Sequence, residues 1–190
     1  MKNNNYLLSL VTLLVLSACG APAASTPVRA PTIIVSGNQA ITLTSPAFKQ
    51  GEAIPAVYTC NGSDTSPALE WGEPPNGTQS FALISDDPDA PSGVFNHWVI
   101  YNIPPTTRSL PESLVKDAKL PDGTQQGQNS RGWVGYLGPC PPNGTHHYTF
   151  VLYALDGKLE LSSGANKGDL LAAMNGHILA TGELIGTYHQ

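Results

Sequence analysis

Glycine and proline recur so often along this chain that few stretches of helix length escape them: 19 Gly and 17 Pro stand among 190 residues. Proline lacks the amide donor and clashes with the preceding helical turn, while glycine loses the most backbone entropy on ordering. That density argues against a helical bundle or a coiled coil. The rest of the composition argues against disorder, because only 12% of residues are charged and 41% are hydrophobic, enough apolar surface to build a core. A formal net charge of −5 also argues against nucleic acid as a partner, since neutralising phosphates needs a basic surface. What fits is one compact, β-rich domain of short elements and tight turns.

The N-terminus reads as an address. Residues 1–18 carry Lys2 and then a 13-residue, mostly apolar stretch at 6–18, too short to span a bilayer as a stable helix. The string Leu16-Ser17-Ala18-Cys19-Gly20 matches the bacterial lipobox, which predicts cleavage before Cys19 and lipidation of its thiol. The competing reading is an ordinary secretory signal with an incidental cysteine. A lipidated Cys19 predicts an exported lipoprotein anchored in the membrane. In a Gram-negative host its place is the periplasmic face of the outer membrane, because Gly20 is unlike an inner-membrane retention signal; otherwise it is the cell surface. Residues 19–37 are rich in Ala, Pro, Ser and Thr and read as a tether, interrupted by a candidate short strand at Ile33-Ile34-Val35. The folded domain is expected over 38–190, opening with a strand at 41–44.

With Cys19 committed to lipid, Cys60 and Cys140 remain. In an exported protein they are candidates for a disulfide, whose closed loop is worth about 4–5 kcal/mol at most on the chain-entropy model. Two inert thiols, or a Cys140 thiolate beside His146 or His147, are the alternatives.

Strand signals are clear at 81–85, 98–103 and 148–155, apolar runs suited to central strands covered on both faces. Asn61-Gly62, Asn76-Gly77 and Asn143-Gly144 are turn signals. One helix is expected: Asn166 caps it with Asp169 three residues on, and Leu170, Leu171, Met174 and Ile178 form its apolar stripe. The segment 182–188 reads as a last strand, and 105–132 shows no clear element. The order suggests an antiparallel sheet or sandwich with a late helix.

Polar residues gather at two places. Asp86-Asp87-Pro88-Asp89-Ala90-Pro91 follows one strand and leads to His97; Gly138-Pro139-Cys140-Pro141-Pro142 leads to His146-His147-Tyr148. Asp-Pro-Asp is also ordinary turn chemistry, and a histidine at a strand's start is usually structural. Two proline-stiffened loops at one sheet end would nevertheless preform a cleft. These two strings, with YTCNGSDTSPALEW at 58–71 and GELIGTY at 182–188, resemble the phosphatidylethanolamine-binding protein family, above all its bacterial and archaeal Raf kinase inhibitor-like branch. The resemblance covers about residues 41–188. It implies a mainly β fold, a Greek-key antiparallel β-sandwich with one late α-helix and a small anion pocket at one end. Its pocket residues carry over to Asp87, Asp89, His97, Pro141, His146 and Tyr148, with the Gly138 loop as a wall. The short loop at 90–96 and the lack of a C-terminal helix flanking the pocket depart from the mammalian pattern, so kinase regulation does not carry over.

An acidic pocket is an awkward host for phosphate. Backbone amides of the 138–144 loop could converge on the anion as a nest, and His97 and His146 could donate ring N–H bonds, with Asp87 or Asp89 fixing their tautomers. The remaining carboxylate could meet an ammonium. The expectation is therefore a membrane-anchored binding protein for small phosphate-bearing or zwitterionic ligands, not an enzyme, with no cofactor and no metal. A protein-interaction role such as protease inhibition is the alternative. A metal-dependent enzyme fits less well, since the His and carboxylate spacing lacks H-x-x-x-H. No G-x-S-x-G marks a serine hydrolase.

Overall fold

The computed structural model describes residues 35–190; the expected signal peptide, Cys19, the tether up to residue 34 and Ile33-Ile34 lie outside them. Nine strands and one helix follow in the order β1 (Val35–Ala40), β2 (Leu43–Thr44), β3 (Leu69–Trp71), β4 (Ser80–Asp87), β5 (Phe95–Ile103), β6 (Ser109–Leu110), β7 (Gln125–Gln126), β8 (Thr145–Leu155), α1 (Lys167–Met174) and β9 (Ile178–His189). Six strands form one sheet in the order β1-β9-β8-β4-β5-β7, and β2-β3-β6 form a second. Pairing is antiparallel except where β1 joins β9. The chain is thus the expected mainly β sandwich with one late helix.

The continuous apolar runs follow from a large sheet covered twice. Successive side chains of a strand point to opposite faces. In β4, Phe81 and Leu83 pack with Trp98, Phe150 and Leu152 against Leu43, Leu69, Trp71 and Leu110 of the small sheet. Their neighbours Ala82 and Ile84 join Val99, Tyr101, Leu170, Met174 and Ile178 beneath the helix. A strand buried on both faces has no position for a polar residue, so alternation vanishes from its sequence.

The helix is capped as expected. The Asn166 side chain accepts from the Asp169 amide at 3.1 Å, and Asp169 returns the bond to the Asn166 amide at 3.2 Å. It is shorter than the apolar stripe suggested: Ile178 is the first residue of β9, reaching the same cluster from the sheet. Other boundaries move too. β1 takes in residues 35–37, which the sequence assigned to the tether, and 41–42 lie between strands. The segment 105–132 contains β6 and β7, each a two-residue pair too short to leave a periodic signal. Of the Asn-Gly turns, Gly77 (φ 92°) and Gly144 (φ 70°) adopt the left-handed backbone that favours glycine. Gly62 is needed for space instead, since a Cβ there would lie 2.1 Å from the Ala56 carbonyl oxygen.

Candidate functional site

The strands that build the core also run further than their apolar stretches, and their polar ends make the site. β4 continues through Asp87, β5 begins two residues before His97, and β8 begins one residue before His146. All three side chains are therefore held on sheet backbone: the histidines stand at strand starts, as expected, and Asp87 ends β4 rather than lying in the loop after it.

Alternation then sorts the residues of each cluster. Along β8, His146 and Tyr148 face inward while His147 faces solvent. The three neighbouring carboxylates are dispersed accordingly. Asp87 meets His146 Nδ1 through Oδ2 at 2.7 Å, Asp86 takes Lys167 at the start of α1 at 2.7 Å, and Asp89 holds His147 Nδ1 at 2.7 Å and its amide at 2.8 Å. Asp87 Oδ1 also accepts the Asp89 amide, the self-bonding turn chemistry of an Asp-Pro-Asp string.

Both buried histidines are fixed as one tautomer. His97 Nδ1 lies 2.7 Å from the Leu137 carbonyl, which can only accept, so Nδ1 carries the proton. The Asp87 carboxylate imposes the same assignment on His146. In each ring Nε2 is left for other partners. Leu137 returns an amide bond to the His97 carbonyl, and Phe95 and Tyr148 flank the His97 ring at centroid distances of 4.9 and 5.2 Å. Burial pushes the His97 pKa below its ordinary 6.5, against the opposing pull of the Leu137 carbonyl and of Asp87, Asp86 and Asp64. Burial, reinforced by the Asp87 charge, pushes the Tyr148 phenol upward. Its hydroxyl is buried with no partner in good hydrogen-bond geometry, though Asp87 and the Cys140 backbone lie close enough to influence it.

These groups open into a cavity of about 480 Å³, within the ~300–1,000 Å³ range of small-molecule sites. Asp87, His97, Gly138 and His146 line it, as the sequence suggested. Asp89, Pro141 and Tyr148 do not: Asp89 is turned toward His147, Pro142 lines the cavity where Pro141 was expected, and Tyr148 packs edge-on against the His97 ring. The sequence reading missed Asp64, Phe95, Arg131, Trp133 and Leu137, which complete the wall. Arg131 falls within the stretch 105–132 that offered no clear element, and Trp133 lies just beyond its end.

Cys60 and Cys140 are joined by a disulfide and both line the cavity, which leaves no thiolate at Cys140. The bond ties the loop after the 3-10 turn Ala56–Tyr58 to the Gly-Pro-Cys-Pro-Pro loop. Hydrogen bonds from the Cys60 amide to the Pro139 carbonyl and from the Tyr136 hydroxyl to the Tyr58 carbonyl reinforce it. Gly138 is where the two loops touch: a Cβ would lie 2.5 Å from the Tyr58 carbonyl oxygen. Its amide donates to Asp64 Oδ1 at 2.6 Å. The anion nest expected of this loop is therefore not available at Gly138, and Pro139, Pro141 and Pro142 have no amide to offer. The expected spare carboxylate for an ammonium is also taken. Of the two carboxylates in the wall, Asp87 serves His146, and Asp64 serves Gly138 and Lys116. By contrast the Arg131 guanidinium forms no hydrogen bond or ion pair among the described residues and lies 5.3 Å from the Trp133 ring centroid. Among the described residues, no three His, Cys, Asp or Glu side chains gather as a metal-binding group. No helix among them is long and apolar enough to cross a membrane.

Known proteins resemble this chain in sequence and fold. The model of the phosphatidylethanolamine-binding protein family matches residues 44–189. The UPF0098 protein of Methanothermobacter thermautotrophicus is 52% identical over 144 residues, covering 76% of this chain and 95% of that protein. Its counterpart from Aquifex aeolicus is 49% identical over 156 residues, covering 80% and 91%. Among solved structures, a phosphatidylethanolamine-binding protein homolog from Chlamydia trachomatis superposes with a TM-score of 0.73 at 42% identity, covering 80% of this chain and 98% of that one. Escherichia coli YbcL, described as a member of the mammalian family, gives 0.74 at 36% identity, covering 80% and 99%. With its sandwich and its strand-end cavity in place, the chain belongs to the phosphatidylethanolamine-binding protein family.

Proposed function

We propose that this domain binds small phosphate-bearing anions in the cavity between Asp87, His97 and His146, and that it does so at a membrane to which Cys19 anchors it. The observation that carries the reading is the pair of buried histidines, each with Nδ1–H committed to a fixed acceptor and Nε2 left over in one cavity. A phosphate oxygen is matched by such a pair in either protonation state. A neutral ring accepts the P–OH proton of a monoanion, and a protonated ring donates to a dianion. The free guanidinium of Arg131 adds a positive charge at the same cavity. A phosphoester with an ammonium finds less support than the sequence suggested, because both wall carboxylates are already engaged. The disulfide agrees with an exported compartment, and the lipobox supplies the anchor.

Titration calorimetry with inorganic phosphate and with phosphoethanolamine, from about pH 5 to about pH 8, tests the reading. Because burial holds the His97 pKa below 6.5, its neutral ring accepts from a P–OH, and binding should strengthen as pH falls through about 6 and the phosphomonoester monoanion becomes the main form. His97→Ala and His146→Asn should each weaken it by about tenfold or more, the loss of one charge-assisted hydrogen bond. The asparagine retains an N–H for Asp87 and so spares the fold. Affinity unaffected by either substitution would overturn the assignment.

A further inference from the structure

The part of the wall that carries Arg131 and Trp133 is built with a care that a bare phosphate would not need. Trp133 is 56% exposed, yet the loop that presents it is tied down by a buried asparagine. Asn129 Oδ1 accepts from the amides of Arg131 at 3.0 Å and Trp133 at 3.2 Å, and its Nδ2 donates to the Gly135 carbonyl. The backbone closes the same turn, with the Asn129 amide on the Trp133 carbonyl and the Ser130 amide on the Asn96 carbonyl. An indole presented on a fixed backbone at a cavity's edge needs little loop ordering when a ligand packs on it. Phe95 and Pro91 continue the apolar wall, and the Arg131 guanidinium beside the indole has no hydrogen bond or ion pair among the described residues.

We infer that Arg131 and Trp133 form a second, outer subsite, and that the ligand preferred by this cavity is a phosphomonoester whose substituent is a planar aromatic group. The inference rests on the phosphate reading above and refines it. An inner phosphate at His97 and His146 leaves most of a 480 Å³ cavity to the ester substituent. That substituent meets an aromatic face and a cation. The cation disfavours an ammonium, and the face favours a ring, which also stacks against guanidinium planes.

Calorimetry with inorganic phosphate, phosphoethanolamine and phenyl phosphate on the same protein tests this. Phenyl phosphate should bind about five- to tenfold more tightly than inorganic phosphate, the size of one aromatic contact, and phosphoethanolamine no more tightly than inorganic phosphate. Trp133→Ala, at an exposed position, should leave the melting temperature unchanged and abolish the advantage of the phenyl ester. Arg131→Gln should weaken both anions while the phenyl ester keeps part of its lead. Phosphate binding with no phenyl advantage, or an advantage that survives Trp133→Ala, would overturn the outer subsite and leave the phosphate reading standing. No binding of any of the three would overturn both.

Discussion

Two histidine–aspartate pairs stand one step apart on the same edge of this molecule, and their contacts are alike. Asp87 meets His146 Nδ1 at 2.7 Å, and Asp89 meets His147 Nδ1 at 2.7 Å. Their surroundings differ: side-chain exposure is 9% and 5% for His146 and Asp87, against 57% and 42% for His147 and Asp89. A shift of one residue along β8 sends the side chain to the other face of the sheet, and the disulfide-tied loops cover only the inner face. The lesson is that the pairing alone does not make a site. A covered pair holds its ring in one tautomer beside a cavity, whereas an open pair of the same geometry is screened by water.

The comparison breaks most completely if the cover is removed. Replacing Cys60 and Cys140 together by serine should lower stability by up to about 4–5 kcal/mol, given a loop separation of 80 residues and the chain-entropy estimate. Denaturant unfolding measures it, and an unchanged midpoint would show that the hydrogen bonds alone close the wall. The next largest effect comes from breaking the inner pair itself. Asp87→Ala should cost about 2–4 kcal/mol, because it strands a buried ring donor. Asp89→Ala, at the outer pair, should cost about 1 kcal/mol or less and respond to salt. Equal costs at the two positions would erase the distinction between them.

Acid sharpens the same contrast. Burial depresses the His97 pKa below 6.5, so the folded protein binds fewer protons there than the unfolded chain does. Stability from this group is complete above 6.5 and declines as pH falls through 6.5 toward the folded value. Thermal melts of the free protein across that window should slope downward toward acid, and His97→Phe should flatten the slope. The outer pair acts lower on the scale. Hydrogen bonds from the His147 side chain and amide hold the Asp89 carboxyl below its ordinary 3.8. Its small contribution is present above 3.8 and fades as pH falls through the lower folded value.

Much of the architecture was legible in the chain. The runs in β4, β5 and β8 are continuous because two layers cover them, and the Asn166–Asp169 cap announces α1. The family strings located Asp87, His97, Gly138 and His146. What stayed hidden depends on distant backbone. That Asp89 faces outward follows from the bond with His147, and that Gly138 spends its amide on Asp64 follows from a loop 74 residues away. Arg131 and Trp133 carry no periodicity because their loop is shaped by Asn129 rather than by a ladder. A buried asparagine whose side chain organises its own turn is visible in sequence only as Asn followed by Ser, Arg and Gly, an ordinary loop string.

The central claim concerns the two covered histidines, and nuclear magnetic resonance of the imidazole nitrogens during a titration with inorganic phosphate tests it most directly. Nε2 of His97 and His146 should shift together as phosphate is added, with one dissociation constant. The ring nitrogens of His147, His177 and His189 should remain where they were. Shifts confined to the exposed rings, or none at His97 and His146 while phosphate binds, would contradict the account.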